Sequence, residues 1–179
     1  MDRIFSLCLS SFYLLFSQPN NAYLNDSFSP YEEIYPEIGY KTVEAAASDF
    51  ERHFHQELKL PLRVPPISFT HHFGRFNNLD GERNDFYEVT FINNRLPEHH
   101  YKITVRPNHF KLPSKKEYIV KTFELKNGTT SIYMEISGFN VLAFEREDWQ
   151  YMLWIDKRVS EKVTPEVLVD IANSIDYTN

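Results

Sequence analysis

From Tyr101 to Arg106 the chain alternates strictly, with Tyr101, Ile103 and Val105 on one side and charged or hydroxyl side chains on the other. A period of two over this length predicts a strand in an antiparallel sheet that is covered on one face and wet on the other. The same pattern predicts strands over 67–76, 86–93, 117–125, 131–136, 141–144 and 149–156. In the last of these, Trp149, Tyr151, Leu153 and Ile155 share one face, and Gln150, Met152, Trp154 and Asp156 share the other. Turn formers separate the strands. Asp80-Gly81, Asn127-Gly128 and Ser137-Gly138 mark hairpins, Asn127-Gly128 most strongly because both residues tolerate positive φ, and the acidic stretch Glu145-Arg146-Glu147-Asp148 joins the last two strands.

Two segments change to a helical period. Val43, Ala46, Ala47, Phe50, Phe54 and Leu58 fall on one face of a helix expected over 43–58, with Thr42 as N-cap and Glu44 in the first turn. Its small alanines predict a close approach to the sheet. Lys59-Leu60-Pro61 ends it, because proline disfavours helical geometry in the residue before it. Near the C-terminus, Thr164-Pro165-Glu166 reads as a helix start, and Val167, Leu168, Ile171, Ala172 and Ile175 form its buried stripe. The expected fold class is therefore α+β: a curved, mainly antiparallel sheet of about six to seven strands, with an N-terminal and a C-terminal helix packed on one face.

The N-terminal part divides differently. The apolar run 4–16 has the length of a signal-peptide core and is too short to span a membrane, so 1–22 is expected to be a signal peptide or N-terminal anchor. The stretch 23–41, with Pro30, Pro36 and several Asn and Ser residues, reads as a linker whose aromatics Phe28, Tyr31, Tyr35 and Tyr40 can lie against the domain. Residues 42–177 then form a single domain, and a secreted or cell-envelope location follows from the leader.

Composition narrows the function classes. The chain has 179 residues, enough for one domain with a sizeable core, and a net charge of -6 with both signs mixed along it. No basic stripe exists to neutralise a phosphate backbone, so nucleic acid is not an expected partner. Lys115-Lys116 and Lys157-Arg158 flank strands, where such residues usually solvate an edge. The sole cysteine, Cys8, lies inside the apolar run and leaves neither a disulfide framework nor a Cys-based zinc site in the body of the protein.

Residues Leu125-Lys126-Asn127-Gly128-Thr129, Tyr133, the runs 140–144 and 149–153, and finally 168–175 resemble an uncharacterised domain family of Gram-positive bacteria. Its members occur as secreted proteins, lipoproteins and ectodomains of membrane-anchored regulators. The resemblance implies the same fold and export, and it brings no catalytic residues.

Seven histidines invite a metal reading, but their spacing does not fit one. His53 and His55 point roughly 200° apart on a helix, and adjacent His71 and His72 project to opposite faces of a strand. Only a site assembled from distant segments, such as His53, His72 and Glu88, would supply a metal-assisted hydrolase. Glu145, Glu147 and Asp148 lack the regular spacing of a calcium loop. Asn25 and Asn127 head glycosylation sequons, the second better explained by its turn. No nucleophile elbow or Gly-rich phosphate loop occurs, and no cofactor is expected. The surplus is aromatic, spread over nearly every strand. Met152 and Trp154, opposite the helices, are the expected ligand or partner surface. The expected function is thus a noncatalytic extracytoplasmic domain binding an apolar small molecule or a protein partner. A metal-assisted hydrolase and a purely structural envelope protein, its aromatic face covered by its own linker or a second copy, are the alternatives.

Overall fold

The computed structural model describes residues 31–78 and 82–176. The expected leader, the first part of the expected linker, the Asn25 sequon and the Asp80-Gly81 turn lie outside the described residues. Seven strands form one sheet: β1 (His71–Asn77), β2 (Phe86–Ile92), β3 (His100–Pro107), β4 (Ile119–Glu124), β5 (Thr130–Ile136), β6 (Phe139–Arg146) and β7 (Trp149–Asp156). Their order is β1-β2-β3-β7-β6-β5-β4, every neighbouring pair antiparallel. The fold is α+β, as the patterning predicts. Two meanders, β1 to β3 and β4 to β7, meet where β3 pairs with β7, a contact between segments about fifty residues apart in the chain.

Helix α2 (Val43–Phe54) begins as expected: the Thr42 hydroxyl accepts from the Ala45 amide at 3.2 Å. It stops four residues before Leu58, because His55 takes a left-handed conformation, φ 53°, that closes the helix onto Glu51. Leu58 is still buried; its amide donates to Glu51 Oε1 at 2.8 Å, which folds the chain back onto the core. Helix α3 (Pro165–Ala172) buries Leu168, Ile171 and Ala172 and continues as a short 3-10 turn through Asp176. Proline at its first turn fits the predicted start, although the Thr164 hydroxyl caps no helix amide.

Both helices pack on the front face of the sheet, against the rows Val89–Ile103–Leu153–Leu142 and Tyr87–Val105–Tyr151–Phe144. Between them runs the segment leaving α2. Trp149 Nε1 donates to the Glu57 carbonyl at 3.2 Å, the Tyr151 hydroxyl donates to the Lys59 carbonyl at 2.9 Å, and the Arg63 amide donates to Ser174 Oγ at 3.1 Å. The predicted front face of β7 is therefore core: Trp149, Tyr151, Leu153 and Ile155 are all buried.

The two-residue turns carry the backbone strain that hairpins require. Ser137 and Gly138 both have positive φ, and Glu147 does so in the acidic turn. At Asn127-Gly128 only the glycine does, φ 80°, within a longer loop closed by Gly128 N–H to Leu125 O at 2.9 Å.

In the described part of the expected linker Tyr31, Tyr35 and Tyr40 lie against the domain, and a helix that the pattern does not predict carries the first two. Tyr31–Glu37 forms a short helix, α1, and Lys41 makes a β-bridge to Gly74 on the free edge of β1. Helix α1 lies on the reverse face, Tyr35 stacked on Phe73 at 4.5 Å and Tyr31 edge-on to His71 at 5.5 Å. Its Tyr31 and Tyr35 stand one helical turn apart, a spacing visible in the sequence but masked there by Pro36 and by the shortness of the segment.

Candidate functional site on the reverse face of the sheet

Strand alternation places one row of side chains across the reverse face as Phe73–Thr90–Lys102–Trp154–Val141–Met134, and the next as Arg75–Glu88–Thr104–Met152–Ala143–Ile132. These rows run from a charged half, over β1, β2 and β3, to an apolar half over β7, β6 and β5. Trp154 stands at the border.

The apolar half forms its own cluster of Met134, Val141, Ala143 and Met152, with Ile132, Ile136, Phe139 and Trp154 packed around it. Met152 and Trp154 thus share the predicted face and touch the same cluster, but their exposure differs. Met152 is 5% exposed, whereas Trp154 is only partly buried. The indole is fixed: Nε1 donates to Thr104 Oγ1 at 3.1 Å, and the Phe139 ring meets it edge-on at 6.3 Å. Lys102 Nζ lies 5.4 Å from the ring centroid, a cation–π geometry.

The charged half is centred on Glu88, a carboxylate 4% exposed. Arg75 at 3.3 Å and Lys102 at 3.4 Å pair with it, and the Tyr40 hydroxyl donates to it from the segment between α1 and α2. Burial, and then the hydrogen bond to Glu88, push the Tyr40 phenol well above its ordinary range. A carboxylate this deep needs such partners, since desolvation penalises an isolated charge by several kcal/mol. Beside it, His100 Nε2 lies 3.2 Å from Thr90 Oγ1 and its ring packs edge-on against Phe139 at 5.7 Å. Burial, followed by the nearby Lys102 charge, holds the His100 imidazole below its usual pKa.

The connector 108–118 bounds this face at its lower end. The Gln150 amide accepts from the Leu112 amide at 2.8 Å and donates to the Leu112 carbonyl at 3.0 Å, pinning the strap beneath β7 and β6. A pocket of about 360 Å³ lies there, lined by Leu112, Pro113, Ile132, Ala143 and Gln150 among others. A second, of about 500 Å³, lies at the β1 edge between Pro36, Tyr40, Val43, His72 and Phe73. Neither includes Trp154, which stands, partly exposed among the described residues, between α1 and the strap.

The other candidates are dispersed. His53 Nε2 lies 3.0 Å from the buried Asp85 carboxylate beside α2, His72 faces the front and Glu88 the reverse, so the sheet separates Glu88 from the two histidines of the assembled metal reading. Among the described residues, no three His, Cys, Asp or Glu side chains are placed to hold a metal ion. His99 Nδ1 lies 2.9 Å from the Ser68 carbonyl, and His71 Nε2 lies 2.7 Å from Glu32 of α1. The acidic turn is a structural tie: Glu145 pairs with Lys111 at 2.7 Å, Glu147 with Lys59 at 3.3 Å, and Asp148 accepts from Gln56 at 2.9 Å. Among the described residues no helix is long and apolar enough to cross a membrane.

Patterning alone places Met152 and Trp154 on the face opposite the helices, where the structure has them. It misses Glu88, Arg75, Lys102 and His100 as a group, because their proximity depends on the order of strands in the sheet. The alternation in β2 and β3 carried the only available signal: Glu88, Thr90, Lys102 and Thr104 lie on one face of their strands.

No protein-family model matches the chain, no curated protein matches it, and no solved structure matches it.

Proposed function

We propose that this protein is a noncatalytic, extracytoplasmic binding domain that takes a protein partner on the reverse face of its sheet around Trp154. The observation that carries the reading is Trp154 itself: a partly exposed indole, held rigidly by Thr104, on sheet that neither α1 nor the strap covers. Aromatic anchors of restricted mobility, ringed by polar groups, are the usual centre of a protein interface. The open, shallow setting fits a protein segment better than an enclosed apolar small molecule. Export is supported by the apolar run 4–16 and by the resemblance to a family of secreted and envelope proteins.

The two tryptophans provide a built-in control, one on each face. With 5-fluorotryptophan in both positions, adding an envelope protein extract from the producing cells is expected to shift the Trp154 fluorine resonance and leave Trp149 in place. Trp154→Ala is expected to abolish the interaction. An interaction that persists in Trp154→Ala, or that moves the Trp149 resonance alone, would place the binding surface elsewhere.

A further inference from the structure

Resting on that reading, we infer that the partner segment is acidic and aromatic, its carboxylates facing Arg106 and Lys102 and an aromatic side chain lying on Trp154 and Phe139. The argument is one of charge. The chain as a whole carries -6, yet the reverse face of β1, β2 and β3 carries Arg75, Lys102 and Arg106 against one carboxylate, Glu88. On β6 and β7, Asp156 is matched by Arg158 at 2.6 Å and Glu145 by Lys111 at 2.7 Å, and Glu124 lies on β4 at the opposite edge of the sheet. Glu88 already takes Arg75 and Lys102.

Arg106 is left over. Among the described residues no carboxylate pairs with it; its guanidinium stacks 5.4 Å from the Phe86 ring centroid, and its buried Nε has no hydrogen-bond partner. Burial without a compensating carboxylate pulls its pKa down. A half-buried guanidinium in this state is completed by an incoming carboxylate, which accepts a bidentate pair of hydrogen bonds at little further desolvation cost.

The chain supplies its own example of what this face accepts. Helix α1, YEEIYPE, docks on the β1 portion by stacking Tyr35 on Phe73 and setting the Glu32 carboxylate 2.7 Å from His71. The portion around Trp154 offers the same two features one to three strands further in, an aromatic platform and adjacent cations.

Two synthetic peptides of about a dozen residues test the inference. They share two tyrosines and differ only in carrying glutamates or lysines at the same positions. Titrated onto the full chain and followed by peptide fluorescence anisotropy, the acidic peptide is expected to bind more tightly than the basic one by about tenfold or more, and to weaken as salt rises. Arg106→Glu is expected to remove that preference, and Arg106→Gln to reduce it if the reversed charge impairs folding. Trp154→Ala is expected to weaken the acidic peptide. Equal binding of both peptides that still depends on Trp154 overturns the acidic partner and leaves the binding surface standing. Acidic-peptide binding at unchanged affinity in Trp154→Ala overturns the surface. Binding of neither peptide at millimolar concentration overturns the inference.

Discussion

At the scale of single residues, Tyr101 carries a buried polar atom that its surroundings among the described residues do not satisfy. Tyr101 is fully buried on β3 with its ring beside Phe69 and Phe91, and its hydroxyl has no hydrogen-bond partner. Burial alone drives its pKa far above the ordinary phenol value, so it stays protonated throughout the working range of pH. An unsatisfied buried hydroxyl costs about 1–3 kcal/mol, and removing it leaves the aromatic packing in place. Tyr101→Phe is therefore expected to raise the urea unfolding free energy by about 1 kcal/mol. A loss of stability would show that the hydroxyl is satisfied in solution. The neighbouring tyrosine behaves in the opposite way. Tyr151→Phe loses the bond to the Lys59 carbonyl, and its ring, like that of Trp149, was legible as core from alternation alone. The partners of these polar tips were not legible. They belong to the aperiodic segment after α2, whose path no local pattern specifies.

Among the elements, the join between α2 and the sheet depends on a missing side chain. A Cβ on Gly74 would lie 2.8 Å from Val43 Cα, 2.9 Å from Ala46 Cβ and 3.0 Å from the Thr42 carbonyl oxygen. Two of these three atoms are backbone and cannot rotate away. Gly74→Ala must lift the first turn of α2 or bend β1, and overpacking of this kind costs about 1–3 kcal/mol. The expected loss is at the upper end of that range, read as a lowered urea midpoint with an unchanged slope. A neutral result would mean that the helix does not sit this close. The alanines of α2 announced a close approach in the sequence, and the turns and strands of β5 to β7 followed from local pattern. Two things did not. The β3–β7 pairing joins two meanders through a contact that only the whole sheet defines, and α1 is a seven-residue helix with an internal proline and no buried residue. Helices of that length form only where tertiary contacts hold them, so propensity gives no warning.

The molecule as a whole is layered unevenly. Its front joins α2, α3 and the segment between them to the sheet through one continuous apolar cluster, which includes Trp149, Tyr151, Leu153, Leu168 and Phe50. Among the described residues, the reverse layer over β1 is α1 and the turn after it, fastened by the Tyr35–Phe73 stack, the Tyr31–His71 contact, the approach of His71 to a Glu32 that is 63% exposed, and Tyr40, whose ring meets Tyr35 at 4.9 Å and whose hydroxyl donates to Glu88. Stability of this kind is local. The exposed Glu32 contact is screened by solvent, and an aromatic pair contributes about 0.5–1.5 kcal/mol beyond its area, far below the global free energy of a domain this size. Helix α1 is therefore expected to open on its own while the front core stays folded. Amide exchange at 31–37 should run orders of magnitude faster than exchange in β3 and β7. Tyr35→Ala should speed it by up to about tenfold, since about 1.4 kcal/mol corresponds to a factor of ten. The same substitution should leave exchange in β3 and β7 unaltered. If Tyr35→Ala instead accelerated exchange in β3 and β7, α1 would belong to the cooperative core. The independent opening matters for binding because α1 covers Phe73 and His71, which continue the reverse face beyond Thr90 and Lys102. Release of α1 enlarges the aromatic and cationic surface around Trp154 without unfolding the sheet that presents it.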